Sequence, residues 1–428
     1  MPALFARFVA RLSHLAVALA SLAVLSACET AAPSGQATPS FTDTRVAVAL
    51  LVPSGSGEAS DDLIAIGLEN AARMAIADLG DVQIDLRVYA TAADPDIAAT
   101  MSSKAVDDGA KIILGPFYGA EANMAGAAVA GRGVAVISFS NNPAIAGGNV
   151  FILGQTFDST ANRLASYAVT KGLARIMVVS DQTAAGEVGK AAIESAVVAA
   201  GGSVAAVGSY QFSQNGIVQA VTDIAASAQA SSSQAVFLTA DTGGALPLLT
   251  QLLMENGVDP VTTQYIGLTR WDIPVANLTQ PGVQGGWFAL PDPGLAQQFL
   301  ARYQTAYGAA PHATAGLAYD GMAAIGALVK QSGLGALGPS GLTQGAGFVG
   351  VNGIFRFLPN GTNERGLAVA QIVNQQVTVI DPAQRSFTGG PGSGRAGFYR
   401  WWLHPQAPLT NCSQGISPCC CPKTPCWT

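Results

Sequence analysis

The chain has 428 residues, 49% of them hydrophobic and only 11% charged, with a net charge of −6. That balance excludes a disordered charged tail, and its 21 basic residues provide no surface rich enough to hold a polyanion, so no nucleic-acid partner is expected. Three histidines, His14, His312 and His404, are too few and too scattered for histidine-based catalysis, while the length suits two or three domains of about 150 residues with full cores.

The N-terminal stretch predicts a secretory leader: Arg7 and Arg11, then the apolar run 15–25, too short to cross a bilayer that needs about 20 residues. It ends in Leu25-Ser26-Ala27-Cys28, which resembles the lipobox of bacterial lipoproteins; the resemblance implies cleavage before Cys28 and acylation of its thiol. Glu29, rather than an aspartate, then implies anchoring to the outer membrane by default, facing the periplasm. Residues 28–44 read as a polar Pro/Ser/Thr tether after a signal peptide at 1–27.

From residue 45 short apolar runs alternate with amphipathic helices. The runs 46–52, 84–89, 111–114 and 134–138 are continuous, as in strands of a parallel sheet covered on both faces. Between the first two, Ile64, Leu68, Ala71, Ala72, Ala75 and Leu79 recur at helical spacing before a stop at Gly80, and Asp94-Pro95 reads as an N-cap with proline at the first helical position. A second series places strands at 175–180, 204–210, 235–239 and 265–268, with helices at 188–200, 217–228 and 244–256. The spacing of about 30 residues per unit is that of βαβ repeats and predicts two doubly wound α/β lobes. Residues 285–290 predict a further strand, 295–307 and 315–331 helices, and 353–358 with 376–380 a late hairpin.

The segments 46–53, 112–116 and 136–143 resemble type I periplasmic binding proteins with a leucine-binding-protein domain, over about residues 45–387. Within that family Ser138-Phe139-Ser140-Asn141-Asn142, Gly154, Tyr319-Asp320-Gly321 and the segment 353–357 are most similar to the penicillin-binding protein activators. The resemblance implies two Rossmann-like lobes joined by a three-strand hinge, with lobe 1 at 45–155 and 290–336 and lobe 2 at 156–289 and 337–388. It implies crossings near 154–157, 290–293 and 337–341, and a ligand cleft lined by Tyr118, Gly119, Ser138, Ser140, Asn141, Asp241 and Arg270. Strand-end loops and helix N-termini offer free N–H groups to a ligand carboxylate there, with Gly119 and Asn141 where the family places them.

Two departures stand out. Where amino-acid receptors of the family hold the ligand ammonium with an acid, this chain reads Leu268-Thr269-Arg270-Trp271, and an arginine cannot accept from an ammonium. Asp241 is the candidate replacement carboxylate, whereas Arg270 suits an anionic ligand, a partner's carboxylate or plain solvent. A usual cleft tyrosine is missing too, since the matching stretch is Ala184-Ala185-Gly186; Phe117, Tyr118 and Trp271 suit ligand lining or core packing equally.

The glycine-rich stretches at 54–57 and 345–347 lack a phosphate-binding lysine and read as turns; no metal-binding pair of His or Cys occurs before residue 400, and no acid, base and nucleophile set assembles. The chain is therefore expected to need no cofactor and to be no enzyme. Residues 389–428 hold five of the six cysteines and no acid, and read as an unselected extension or shifted frame rather than a metal or disulfide knot. Two functions follow from the resemblance: a lipoprotein that regulates a peptidoglycan synthase, favoured by Glu29, the lost acid and the branch motifs, or the receptor of an ABC permease for amino acids or amides.

Overall fold

The computed structural model describes residues 45–387, and Cys28, the tether and the tail from 389 lie outside them. The first apolar run forms β1 (Val46–Val52), buried at every position, as a strand covered on both faces must be. There follow α1 (Ala59–Asp78), β2 (Ile84–Ala90), α2 (Pro95–Asp107), β3 (Ile112–Leu114), α3 (Gly119–Val129), β4 (Val136–Ser138) and β5 (Val150–Ile152). These strands make a parallel sheet in the order β2-β1-β3-β4-β5, with Val46 opposite Ile84 and Val48 opposite Ile112. Strand β5 is the one strand of this sheet that the apolar pattern did not predict, because three residues after a glycine pair make too short a run.

The chain then leaves this sheet through α4 (Phe157–Thr170) and repeats the pattern: β6 (Arg175–Asp181), α5 (Ala184–Ala199), β7 (Ser203–Tyr210), α6 (Gln214–Ala230), β8 (Ala235–Leu238), α7 (Leu246–Glu255), β9 (Gln264–Gly267) and β10 (Trp287–Leu290). The parallel part again reads β7-β6-β8-β9-β10, the same winding as the first sheet. Both sheets therefore have a topological switch point, between β1 and β3 and between β6 and β8, where open α/β sheets form a crevice at their carboxyl edge. This is the expected fold class, two doubly wound α/β lobes.

After β10 the chain returns. Helices α8 (Pro293–Tyr307) and α9 (Ala315–Ser332), the short α10 (Pro339–Leu342) and the antiparallel strands β11 (Phe348–Gly350), β12 (Gly353–Phe357) and β13 (Asn363–Arg365) follow. Phe299, Tyr319, Leu342, Phe348, Phe355 and Phe357 all pack into one core with Val48, Leu50 and Leu68. Strands β14 (Ala368–Val373) and β15 (Gln376–Asp381) then extend the second sheet antiparallel to β10.

Two expectations are corrected here. Residues 353–358 and 376–380 do not pair; the hairpin is β14 with β15, joined by Asn374 and Gln375 at positive φ, while β12 belongs to a separate three-stranded sheet. Residues 337–357 pack with the first core rather than the second, so the last passage between lobes falls at 365–368 instead of 337–341. The phenylalanines of 348–357 help fix this, since all three are buried in the first core and full burial of each is worth about 1.5–3 kcal/mol. Described residues from Val46 onward form one compact unit.

Candidate functional site

The three passages leave or enter at the carboxyl ends of strands: β5 into α4, β10 into α8, and β13 into β14 beside the end of β10. The carboxyl edges of both sheets therefore turn toward the hinge, and the loops there are the candidate site. At the hinge itself Asn363 Nδ2 donates to the carbonyls of Ile152 and Gly154, and Arg365 Nη2 donates to that of Leu153. Gly154 admits no side chain: a Cβ would lie 2.7–2.8 Å from Ser140 O, Asn141 N and Phe139 O, so the first passage is pressed onto the 139–141 loop.

In the first lobe the switch point is bridged by Tyr118, the N-cap residue of α3, whose hydroxyl donates to Asp61 Oδ1 at 2.5 Å. That bond, with burial second, pushes the phenol up to about 12. Tyr118 stands half-exposed with Phe117 edge-on at 5.0 Å, and Phe117 leans on the first core. Below them Glu121 is buried; its Oε2 accepts from Tyr118 N at 3.1 Å, while Oε1 has no partner, and burial raises its pKa. Ser138 Oγ donates to Pro116 O and accepts from Ser140 N, and Ser140 Oγ accepts from Asn142 N. These two serines brace their own loop and leave Asn141 exposed; the neighbours of Gly119 are Ser140, whose Oγ lies 3.3 Å from the Cβ position, and Asn142.

The second lobe's switch point is bridged in a parallel way. Thr239 Oγ1 donates to Asp181 Oδ2 at 3.2 Å, and Asp181 Oδ1 accepts from Thr183 N and from the Thr183 hydroxyl. The buried Tyr210 hydroxyl has no partner, and burial first, then Asp181 and Asp241, raises its pKa. Asp241 is exposed on the loop after β8. Arg270 is not the free cation expected from the sequence: Nε and Nη2 fork onto the two oxygens of Asp272 at 2.6 and 2.5 Å. Two residues apart on a turn, they meet before any ligand carboxylate arrives. Trp271 resolves to core packing, fully buried against Gly267 and Gly286, where a Cβ would come within 2.3 Å of its ring.

Sequence reasoning named these strand-end loops but not Asp61, Glu121, Tyr210 or Asp272. Asp272 was legible, since an acid two residues after an arginine in a turn is its natural partner. The other three depend on which strand ends are neighbours. Among the described residues no group of His, Cys, Asp and Glu suits a metal ion, and no helix is long and apolar enough to cross a membrane.

The chain belongs to the periplasmic binding protein family, whose sequence profile matches residues 45–376. Its fold is shared by an ABC transporter substrate-binding protein from Desulfitobacterium hafniense solved with Leu, at 18% identity over 79% of this chain and 100% of that one, with a TM-score of 0.59. A branched chain amino acid ABC transporter periplasmic ligand-binding protein from Burkholderia xenovorans aligns at 17% identity over 80% of this chain and 94% of its own, with a TM-score of 0.61. A solute binding protein of an ABC transporter from Rhodopseudomonas palustris in complex with 3,4-dihydroxy benzoic acid aligns at 18% identity, covering 81% and 99%, with a TM-score of 0.55. No match is found among curated proteins.

Proposed function

We propose that the chain is the periplasmic substrate-binding receptor of an ABC transporter for a small solute of the amino-acid or amide class, lipid-anchored through Cys28 and without catalytic activity. The observation that carries this reading is the doubled switch point: two sheets of the same winding present their crevices toward one three-passage hinge, the arrangement of a cleft that closes on a ligand. Ser138, Ser140, Asn141, Gly119 and Tyr118 would line it from one side and Asp241 from the other. Solved proteins of this fold described as transporter components support it.

The regulator of a peptidoglycan synthase is the second reading, supported by Leu25-Ser26-Ala27-Cys28 followed by Glu29. The branch motifs favour it less than the sequence alone implied, because each has an architectural task in this fold. Tyr319 bonds Asp78, Asp320 pairs with Arg365, and Gly321 lies where a Cβ would come 2.5 Å from Leu114. Calorimetric titration of the processed protein with leucine, isoleucine, valine and small amides, alongside affinity capture of membrane partners, separates the two. Solute binding with capture of a permease supports the receptor; capture of a peptidoglycan synthase with no solute binding replaces it with the regulator.

A further inference from the structure

An open sheet ends in strands with unpaired N–H and C=O groups, and a folded chain usually spoils each such edge with charge, brevity, a bulge or a cover. In the two large sheets the edge strands are β2, β5, β7 and β15. Strand β2 carries Asp85 and Arg87, and the Arg87 guanidinium turns to the Asp108 carbonyl. Strand β5 is three residues long, and Ile152 N already donates to Gly361 O. Strand β7 has an extra residue, Ala205, between the partners of Ile176 and Met177, and Gly208 further along.

Strand β15 has no such device over most of its length. Gln376, Val377, Thr378 and Val379 form a regular ladder with β14, uncharged, free of proline and glycine, and exposed at all four positions, so on both faces. The one irregularity comes after them, at Ile380. Because Asn374 and Gln375 make a two-residue turn at positive φ, Val373 and Gln376 exchange both bonds, and the alternation turns the N–H and C=O groups of Val377 and Val379 away from β14. Among the described residues nothing bonds to them. The chain does not fold back along this edge either: it departs toward the hinge, where Gln384 O lies against Gly366 and the Phe387 ring against Arg356.

We propose that β15 pairs with β15 of a second copy of this chain, antiparallel across a two-fold axis at Thr378, joining two seven-stranded sheets into one. The strand is its own complement there. Val377-Thr378-Val379 reads the same in both directions, so each valine meets a valine and Thr378 meets its own mate, β-branched pairs throughout. The ends agree as well: the axis puts Gln375 of one copy toward Asp381 of the other, so no two carboxylates meet, and Arg163 already neutralises Asp381. Val377 and Val379 then exchange the bonds left open, and position 378 becomes a non-hydrogen-bonded pair with Cα atoms about 4.5 Å apart. Four regular residues make a small contact against the about 800 Å² per partner of a stable interface, so the dimer is expected to be weak and to grow with protein concentration.

The register makes this testable at single positions in the processed protein. Thr378→Cys is expected to form a disulfide with itself between copies under mild oxidation, since the spacing lies inside the bridging range. Peptide mass mapping identifies the link, and Val261→Cys, at a residue 89% exposed elsewhere, is the control expected to cross-link far more slowly. In sedimentation velocity over a concentration series, Val377→Lys with Val379→Lys places like charges opposite each other and is expected to weaken association at least about tenfold, whereas Val377→Lys with Val379→Glu places opposite charges there and restores it. All three side chains are exposed, and circular dichroism checks that each variant folds. A protein that stays monomeric at every concentration overturns the proposal, as does a dimer indifferent to both double variants, whose contact lies elsewhere. A link from position 378 to a cysteine beyond residue 411 also overturns it, in favour of this chain's own C-terminal stretch as the edge's occupant.

Discussion

Asp320 on α9 and Arg365 at the end of β13 form an ion pair at 3.2 Å with side chains 0% and 2% exposed. Each is tied to a different part of the hinge. Asp320 Oδ1 accepts from Val351 N at 2.7 Å and Oδ2 from Asn352 Nδ2, while Arg365 reaches the Leu153 carbonyl and lies over the Phe355 ring. The pair thus joins the long helix of the first lobe to two of the three passages. Burial raises the Asp320 pKa and lowers that of Arg365, so the pair holds its charges only because each partner is present.

Arg365→Met is expected to destabilise the protein by about 3–5 kcal/mol, because Asp320 is left buried and uncompensated. Denaturant unfolding measures it. Adding Asp320→Asn is expected to recover part of the loss, since the remaining buried group is then neutral; full additivity of the two changes would contradict the coupling.

Tyr118→Phe removes the donor to Asp61, which is 5% exposed, and leaves its carboxylate short of a partner. The expected cost is about 1–3 kcal/mol. Thermal unfolding reports it, and an unchanged midpoint would show that water replaces the hydroxyl.

Glu121 gives a pH signature. Its folded pKa is raised by burial above the ordinary 4.5, so the native state binds the proton more tightly than the unfolded chain does. Its contribution is therefore fully present below about pH 4.5 and lost as pH rises through the folded value. Glu121→Gln removes that penalty. The variant is expected to unfold at a higher temperature than the parent near neutral pH and at the same temperature at pH 4, in scans across that range.

Cys28→Ala is expected to abolish acylation, releasing the protein from membranes or leaving its leader uncut. Membrane fractionation and the mass of the processed chain check this.

Most of the fold was legible because the central parallel strands are apolar over most of their length. Val46–Val52 and Arg175–Asp181 stand out as runs that nothing but a doubly covered sheet would bury. Strand β5 and the pairing of β12 were not, since three-residue strands carry too little pattern and Gly353–Phe357 suits either lobe by composition alone. The site was half legible. The loops of the candidate site follow strand ends, which the apolar runs mark, and the resemblance supplied the choice of Tyr118, Ser138, Asn141 and Asp241 within them. Bonds such as Tyr118 to Asp61 span 57 positions and Arg365 to Asp320 spans 45, and no local pattern encodes which distant strand ends become neighbours.

The return of the chain to its first core has a consequence for synthesis. The first sheet ends at Ile152, yet Phe348, Phe355 and Phe357 complete the core against it, and β14 and β15 complete the second sheet only after that. A nascent chain therefore carries an open apolar face on its first half while nearly the whole second half is made. Neither lobe can close until residues beyond 357 leave the ribosome or the membrane pore, so both lobes finish together, from the same last stretch of polypeptide.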